Sequence, residues 1–132
     1  MTLPGPFPPS LEEFVRLFNA HHFWESHEVL ERPWRVGRSD FYQGLILYAS
    51  ALVHAQRGNR HGIRAQFAKA RRRLERYLPG YLGIDLRALL SRARELEAAG
   101  AVPGPHTYPT IRLDPALLRG DEPELRPTAT PE

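Results

Sequence analysis

The sequence predicts an all-α fold, a compact bundle of about five helices followed by a Pro-rich C-terminal arm. Apolar residues recur at helical spacing in five segments between residues 10 and 100. Capping and helix-breaking residues stand between those segments. A chain of 132 residues is long enough for one domain with one hydrophobic core. We therefore expect the helices to pack as a single bundle.

Three parts are expected along the chain. Residues 1–9 form an extended N-terminal segment, residues 10–100 form the helical bundle domain, and residues 101–132 form the Pro-rich arm or tail. Seven of the 13 prolines lie in that last part. We expect the arm to lie across the bundle, with an extended stretch from Tyr108 to Leu113, one helical turn from Pro115 to Leu118, and a frayed end after Asp121.

The first two helices are expected to form an antiparallel pair. Ser10 and Glu13 fit a capping box, because each side chain can satisfy a free backbone amide at the helix start. Asn19 fits the end of this helix, since Asn tolerates left-handed geometry. The second helix is expected from about His21 to about Arg32. Pro33 should end or kink it, because proline has no amide to donate and disfavours helical geometry in the preceding residue.

The third and fourth helices are expected to form a second antiparallel pair. The third begins near Ser39 or Asp40, is apolar on nearly all sides, and ends at Gly58-Asn59. The fourth runs from about Arg60 to Leu78 and stops at Pro79-Gly80. Spaced small residues and the Gly-Asn turn make this pair resemble the helix–turn–helix of a tetratricopeptide repeat.

The fifth helix closes the predicted core. Asp85 caps its start, and Gly100 stands where a C-terminal glycine cap is expected. Its leucines recur at helical spacing, so one face should be buried. With this helix the bundle domain ends.

Composition excludes several classes of chemistry. The chain has no cysteine, which excludes disulfides, thiolate metal sites and cysteine nucleophiles. The N-terminus has neither a basic nor an apolar run, and the longest apolar stretch, within Leu45 to Val53, is too short to span a bilayer. We therefore expect a cytoplasmic protein without membrane contact. The bias to Arg and Pro suggests a GC-rich coding sequence and a thermophilic source.

A possible metal site lies in the run HEVLE, from His27 to Glu31. It differs by one residue from the HExxH signature of zinc peptidases, with Glu31 where the second His would be. Positions i and i+4 share a helix face, so His27 and Glu31 could bind one divalent metal such as zinc. His54 is the candidate third ligand. Glu28 would then be the catalytic base of a metal-dependent hydrolase.

A structural explanation of the same residues is favoured. A buried histidine usually finds a hydrogen-bond partner, and Glu31 lies one turn from His27. Gln43, Ser50 and His54 fall on one line of the third helix. The sequence then predicts a buried polar seam, with no cofactor and no catalytic residue.

The fourth helix gives a further alternative, nucleic-acid binding. From Arg57 to Arg76 there are eight basic residues and one acid, Glu75, a local charge of +7. Such a helix could contact phosphates. Arginines can equally serve to solvate the outer faces of a helix whose inner face is apolar. The candidate basic surface comprises Arg64, Arg71, Arg72, Arg73 and Arg76.

Two motifs resemble domain-of-unknown-function family 309, a group of small all-helical proteins. They are FNAHHFWESHEVLERPW and FYQGLILYASALVHAQRGNRHG, and the resemblance covers roughly Phe14 to Leu90. Pro33 departs from the family pattern, which continues the second helix to the residue at Trp34. The resemblance implies an all-helical bundle and no established activity. It also implies one polar constellation, made of Glu25, His27, Glu28, Glu31, Gln43 and His54.

The leading functional hypothesis is a non-enzymatic interaction or self-association module, whose partner is another protein or a second copy of the chain. The tetratricopeptide-like pair and the aromatic residues from Trp24 to Tyr42 favour it. The sequence also lacks a GxSxG elbow and a phosphate-binding loop followed by Lys-Ser or Lys-Thr. The metal site and the nucleic-acid surface remain the alternatives.

Overall fold

The computed structural model describes residues 6–99 and 102–126, and it confirms the all-α fold. Within that part of the chain the five helices are α1 (Pro9–Asn19), α2 (Phe23–Gly37), α3 (Asp40–Gln56), α4 (Arg60–Leu74) and α5 (Leu86–Ala98). Two short antiparallel strands, β1 (Gly80–Tyr81) and β2 (Ile84–Asp85), connect α4 to α5. Gly100, the expected cap of α5, lies outside the described residues.

The start of α1 differs from the prediction. The helix begins at Pro9, and Pro8 stands at the N-cap position without a side-chain cap. The capping box expected at Ser10 is therefore wrong, because Ser10 already lies inside the helix. Glu13 instead accepts hydrogen bonds from Arg16, one turn later on the same exposed face. Proline suits the first turn, where its missing amide has no helical partner in any case.

Helix α2 continues through Pro33 and ends at Gly37. Of the two outcomes expected at Pro33, an end or a kink, the end at Arg32 is wrong. Packing on both sides of the proline explains the continuation. Leu30 is fully buried before it, and Trp34 packs against the core after it. One lost hydrogen bond does not outweigh these contacts. The helix ends where Arg38 adopts the left-handed conformation, with φ of 54°.

Helix α3 lies at the centre of the bundle, where it packs against α2 and α4. Two glycines bring α3 and α4 close together. A Cβ at Gly44 would collide with Leu74, and a Cβ at Gly62 would collide with the ring of His54. These contacts join opposite ends of the two helices, so α3 and α4 form the antiparallel pair that the sequence predicts.

Side-chain caps fix the starts of three helices. Ser39 accepts a hydrogen bond from the amide of Tyr42 at the start of α3, and Asp85 accepts one from Ala88 at the start of α5. Both caps were expected from the sequence. Asn59 caps α4 by accepting from the amide of Gly62, at 3.0 Å. The same residue thus ends the α3–α4 turn and begins α4.

The connection from α4 to α5 was not expected in this form. Helix α4 ends at Leu74, short of Leu78, and a 3₁₀ turn follows over Glu75–Tyr77. The β1–β2 hairpin turns through Leu82 and Gly83, with φ of 51° and 87°. A side chain at Gly83 would collide with Phe7, so glycine is required there for both conformation and space.

The C-terminal arm packs on the bundle through residue 126. Pro115–Leu117 form the expected helical turn, and Tyr108 to Leu113 have neither helix nor strand. Ile111 is buried. The frayed end expected after Asp121 is wrong for the described residues, because Glu122 is only 2% exposed and accepts the amide of Gly120 at 2.9 Å.

Aromatic side chains fill much of the core. Phe18 meets Phe23 edge to face, with ring centroids 5.0 Å apart, and Tyr48 meets Phe67 at 4.9 Å. The buried Tyr48 hydroxyl donates a hydrogen bond to the carbonyl of Leu89, at 2.8 Å. This bond ties α3 to α5. None of the described helices is long and apolar enough to cross a membrane.

Candidate binding surface on α2, α3 and α4

Helix α3 exposes one narrow line of side chains. Its half-buried residues after the first turn are Gln43, Leu47, Ser50 and His54, and the residues between them are buried. They recur at helical spacing, so they lie on one side of the helix. The sequence predicts this line as part of a buried seam. In the structure the four residues are half-buried, beside α2 and α4.

On α2, His27 and Glu31 meet as their spacing predicts. The His27 Nε2 atom lies 3.1 Å from a carboxylate oxygen of Glu31, and the His27 side chain is 19% exposed. Arg35 donates a 2.7 Å hydrogen bond to the other Glu31 oxygen. The His27 Nδ1 atom is buried and has no hydrogen-bond partner among the described residues. Of the two ring nitrogens of His27, Nε2 therefore has a polar partner and Nδ1 has none among the described residues.

Trp24 covers His27. The two rings stack with centroids 5.3 Å apart and an interplanar angle of 26°. The Arg57 guanidinium, at the end of α3, lies 6.0 Å from the Trp24 ring centroid. Even so, Trp24 is 50% exposed. A large aromatic side chain is thus held at the surface by a histidine beneath it and a cation beside it.

His54 contacts residues at the start of α4. Its Nδ1 atom lies 3.2 Å from Asn59 Nδ2, and its ring packs against Gly62. Among the described residues, no three His, Cys, Asp or Glu side chains form a group that could hold a metal ion. Of the three ligands proposed for a metal, His27 and Glu31 are in contact and His54 has its own partner.

The remaining members of the polar constellation lie apart. Glu25 is exposed and pairs loosely with His22, at 3.9 Å. Glu28 is exposed on the outer side of α2. Gln43 lines a cavity between α3 and α4. The sequence alone could not show this division, because helix rotation decides which residues face a neighbour.

The basic surface is partly neutralised by carboxylates of the chain. Arg71 pairs with Glu97 of α5, and both Arg73 and Arg76 pair with Asp40 at 2.9 Å. Arg64 and Arg72 are exposed. The run that suggests a continuous basic helix therefore divides between two sides of α4.

A second polar cluster was not expected. Glu124 of the arm accepts hydrogen bonds from the Ser39 hydroxyl and the Tyr81 hydroxyl. Beside it is a cavity of about 310 Å³, lined also by Pro33 and Tyr77. Burial and the charge of Glu124 raise the pKa of Tyr42. No local pattern in the sequence relates residue 124 to residues 39 and 81.

The fold defines a small all-helical bundle whose most exposed aromatic residue lies on α2. Residues 11–66 match the family model described as domain of unknown function DUF309. The match confirms the family resemblance read from the two motifs, and it contains both motifs in full. It ends within α4, earlier than the expected limit at Leu90. A search of curated proteins found no match for the chain.

Proposed function

We propose that the protein is a non-enzymatic interaction module, which associates with a second copy of itself or with another protein. The contact surface is centred on Trp24, with His27 beneath the ring and Arg57 beside it. The observation that supports this most is the 50% exposure of Trp24. Tryptophan and arginine are the residue types most enriched in the energetic centres of protein interfaces.

Order in the free protein favours binding through this surface. Trp24 already has a stacking partner, so little side-chain freedom is lost on association. Polar side chains adjoin it, namely His27 beneath the ring and Arg57 beside it. An aromatic centre with a polar rim is the usual composition of a non-obligate interface.

The experiment is light scattering coupled to size-exclusion chromatography, followed by partner capture with purified full-length protein. Trp24→Ala should abolish the dimer or the captured partner. Leu78→Ala is the matched control, because Leu78 is a second exposed apolar residue, 42% exposed, on another part of the molecule. A wild-type protein that is strictly monomeric and captures no partner would overturn the proposal.

A metal-binding function is the second candidate, supported by the 3.1 Å contact between His27 and Glu31. In that case protein purified without chelator should contain near-stoichiometric zinc, iron or manganese by elemental mass spectrometry. His27→Ala should then remove the metal while unfolding remains cooperative. Metal that persists in the His27→Ala variant would place the site elsewhere.

A further inference from the structure

We propose that the cavity between α3 and α4 binds a small phosphorylated ligand. The cavity has a volume of about 590 Å³ and is lined by Gln43, Leu47, Lys69, Arg72, Arg73 and Arg76. Its size is that of a metabolite-binding pocket. This site is separate from the surface around Trp24 and does not depend on the interaction proposed there.

Glycine at position 44 creates the geometry of the pocket. The C-terminal end of α4 approaches α3 closely there, because a Cβ at Gly44 would collide with Leu74. The same Cβ would lie 3.2 Å from the Cβ of Arg73. The backbone of α4 therefore holds Arg73 against α3, beside the exposed line that begins with Gln43.

Asp40 orients two of the four cations. One carboxylate oxygen lies 2.9 Å from Arg73 and the other lies 2.9 Å from Arg76, so a single carboxylate bridges both guanidinium groups. Each ion pair uses an Nη1 atom, which leaves the other N–H groups of the fork for a ligand. Guanidinium groups fixed in this way suit the paired oxygens of a phosphate.

The other two cations, Lys69 and Arg72, have no carboxylate partner in the described part of the chain. Against the one carboxylate of Asp40, the pocket therefore keeps an excess of three positive charges. Phosphate monoesters and diphosphates carry a compact negative charge, opposite in sign to that of the pocket. Gln43 adds an amide and Leu47 an apolar wall, which suit the organic part of such a ligand.

A compact ligand fits better than a nucleic acid. A nucleic-acid surface needs cations spread over several successive phosphates. Here Arg57 lies beside Trp24, and Arg71 is turned to Glu97 on the α5 side. Lys69, Arg72, Arg73 and Arg76 instead line one cavity, and Arg64 of the same helix lies outside it.

The test is calorimetric titration of the full-length protein with pyrophosphate, with sulfate as the anion control. Arg72→Gln should weaken pyrophosphate binding about tenfold, as expected for a lost charged hydrogen bond. Arg64→Gln removes the same charge from the same helix outside the pocket and should leave the affinity within about twofold. Circular dichroism confirms the fold of each variant.

Three results would overturn the proposal. Pyrophosphate does not bind at millimolar concentration; or sulfate binds as tightly as pyrophosphate; or Arg64→Gln weakens binding as much as Arg72→Gln. In a parallel arm, a single-stranded oligonucleotide that binds more tightly than pyrophosphate, and loses affinity equally in both arginine variants, would assign the basic residues to a nucleic acid instead. Trp24→Ala should leave pyrophosphate binding unchanged, so the two proposals fail independently.

Discussion

Two polar clusters of this protein differ in where their partners come from. At the arm junction, defined as Asn19, Ser39, Tyr81, Glu122 and Glu124, most partners lie far apart in the chain, 92 positions for Asn19 and Ile111 and 85 for Ser39 and Glu124. Glu122 also accepts from the nearby amides of Arg119 and Gly120.

On the α2 surface, defined as Trp24, His27, Glu31 and Arg57, the partners of His27 lie within one turn, and its Nδ1 atom has none among the described residues. We infer that the arm junction stabilises the fold and that the α2 surface is available for binding.

The largest effect is expected at Asn19, whose side chain donates to the Ile111 carbonyl at 2.7 Å and accepts from the Ile111 amide at 2.8 Å. Asn19→Ala leaves the backbone amide and carbonyl of the buried Ile111 without these partners. The free energy of unfolding should therefore fall by about 2 kcal/mol. Urea denaturation measures it. Gln56→Ala, which removes one exposed hydrogen bond to His21, should cost about 0.5 kcal/mol or less. Equal losses in both variants would contradict the comparison.

Glu122 should make the stability of the arm junction depend on acid pH. Burial alone would raise its pKa, but the amides of Arg119, Glu122, Gly120 and Leu82 together lower it below the usual 4.5. The unfolded state therefore binds the proton first, and the stabilisation present above about pH 4.5 is lost as the pH falls through the lowered pKa.

Glu122→Gln should cost about 1.5 kcal/mol at pH 7 and should flatten this acid dependence. Denaturation curves at a series of pH values test it. An unchanged acid limb in the variant would show that another carboxylate is responsible.

Tyr81 should make the stability of the protein fall at alkaline pH, by less than Glu122 does at acid pH. Burial raises its pKa above the usual 10, and the hydrogen bond to Glu124 raises it further. The folded state therefore resists deprotonation, and stability should fall as the pH rises above about 10, where the unfolded chain ionises.

Tyr81→Phe should cost about 1 kcal/mol at neutral pH and should reduce the alkaline loss. Tyrosinate absorbance followed during alkaline unfolding measures both. Tyrosinate signal that appears well before unfolding, and disappears in the variant, would contradict it.

The effect on stability expected at Trp24 is smaller than those at Asn19, Glu122 and Tyr81. Because the ring is half exposed, Trp24→Ala should change the free energy of unfolding by about 0.5 to 1 kcal/mol, the size of an aromatic stacking contact. Association with a partner should nevertheless be lost. Comparing urea denaturation with light scattering separates the two readouts. A loss of several kcal/mol would make the α2 surface part of the fold rather than a binding surface.

Short-range features of the molecule were predictable from the sequence. The five helices follow from apolar spacing, and the caps at Ser39 and Asp85 follow from side chains that reach an amide three residues away. The contact between His27 and Glu31 follows from helical geometry alone. These features depend on residues within one turn of each other, so local chemistry determines them.

Features decided by distant packing were not predictable. Helix α2 passes through Pro33 because Leu30 and Trp34 are held by the core, which no local rule indicates. Glu124 could not be related to Ser39 or Tyr81 before the path of the arm was known. The half-buried position of Gln43 and His54 depends on how α3 packs between its two neighbours.

The hydrogen bonds between Asn19 and Ile111 have a consequence for how the chain is made. Ile111, the hydrogen-bond partner of Asn19 at the end of α1, emerges from the ribosome 92 positions after Asn19. Early helices can form during synthesis, but the end of α1 acquires its last partner only after Ile111 has been synthesised. The end of α1 should therefore become protease-resistant only after the segment around Ile111 has been made and has packed against it.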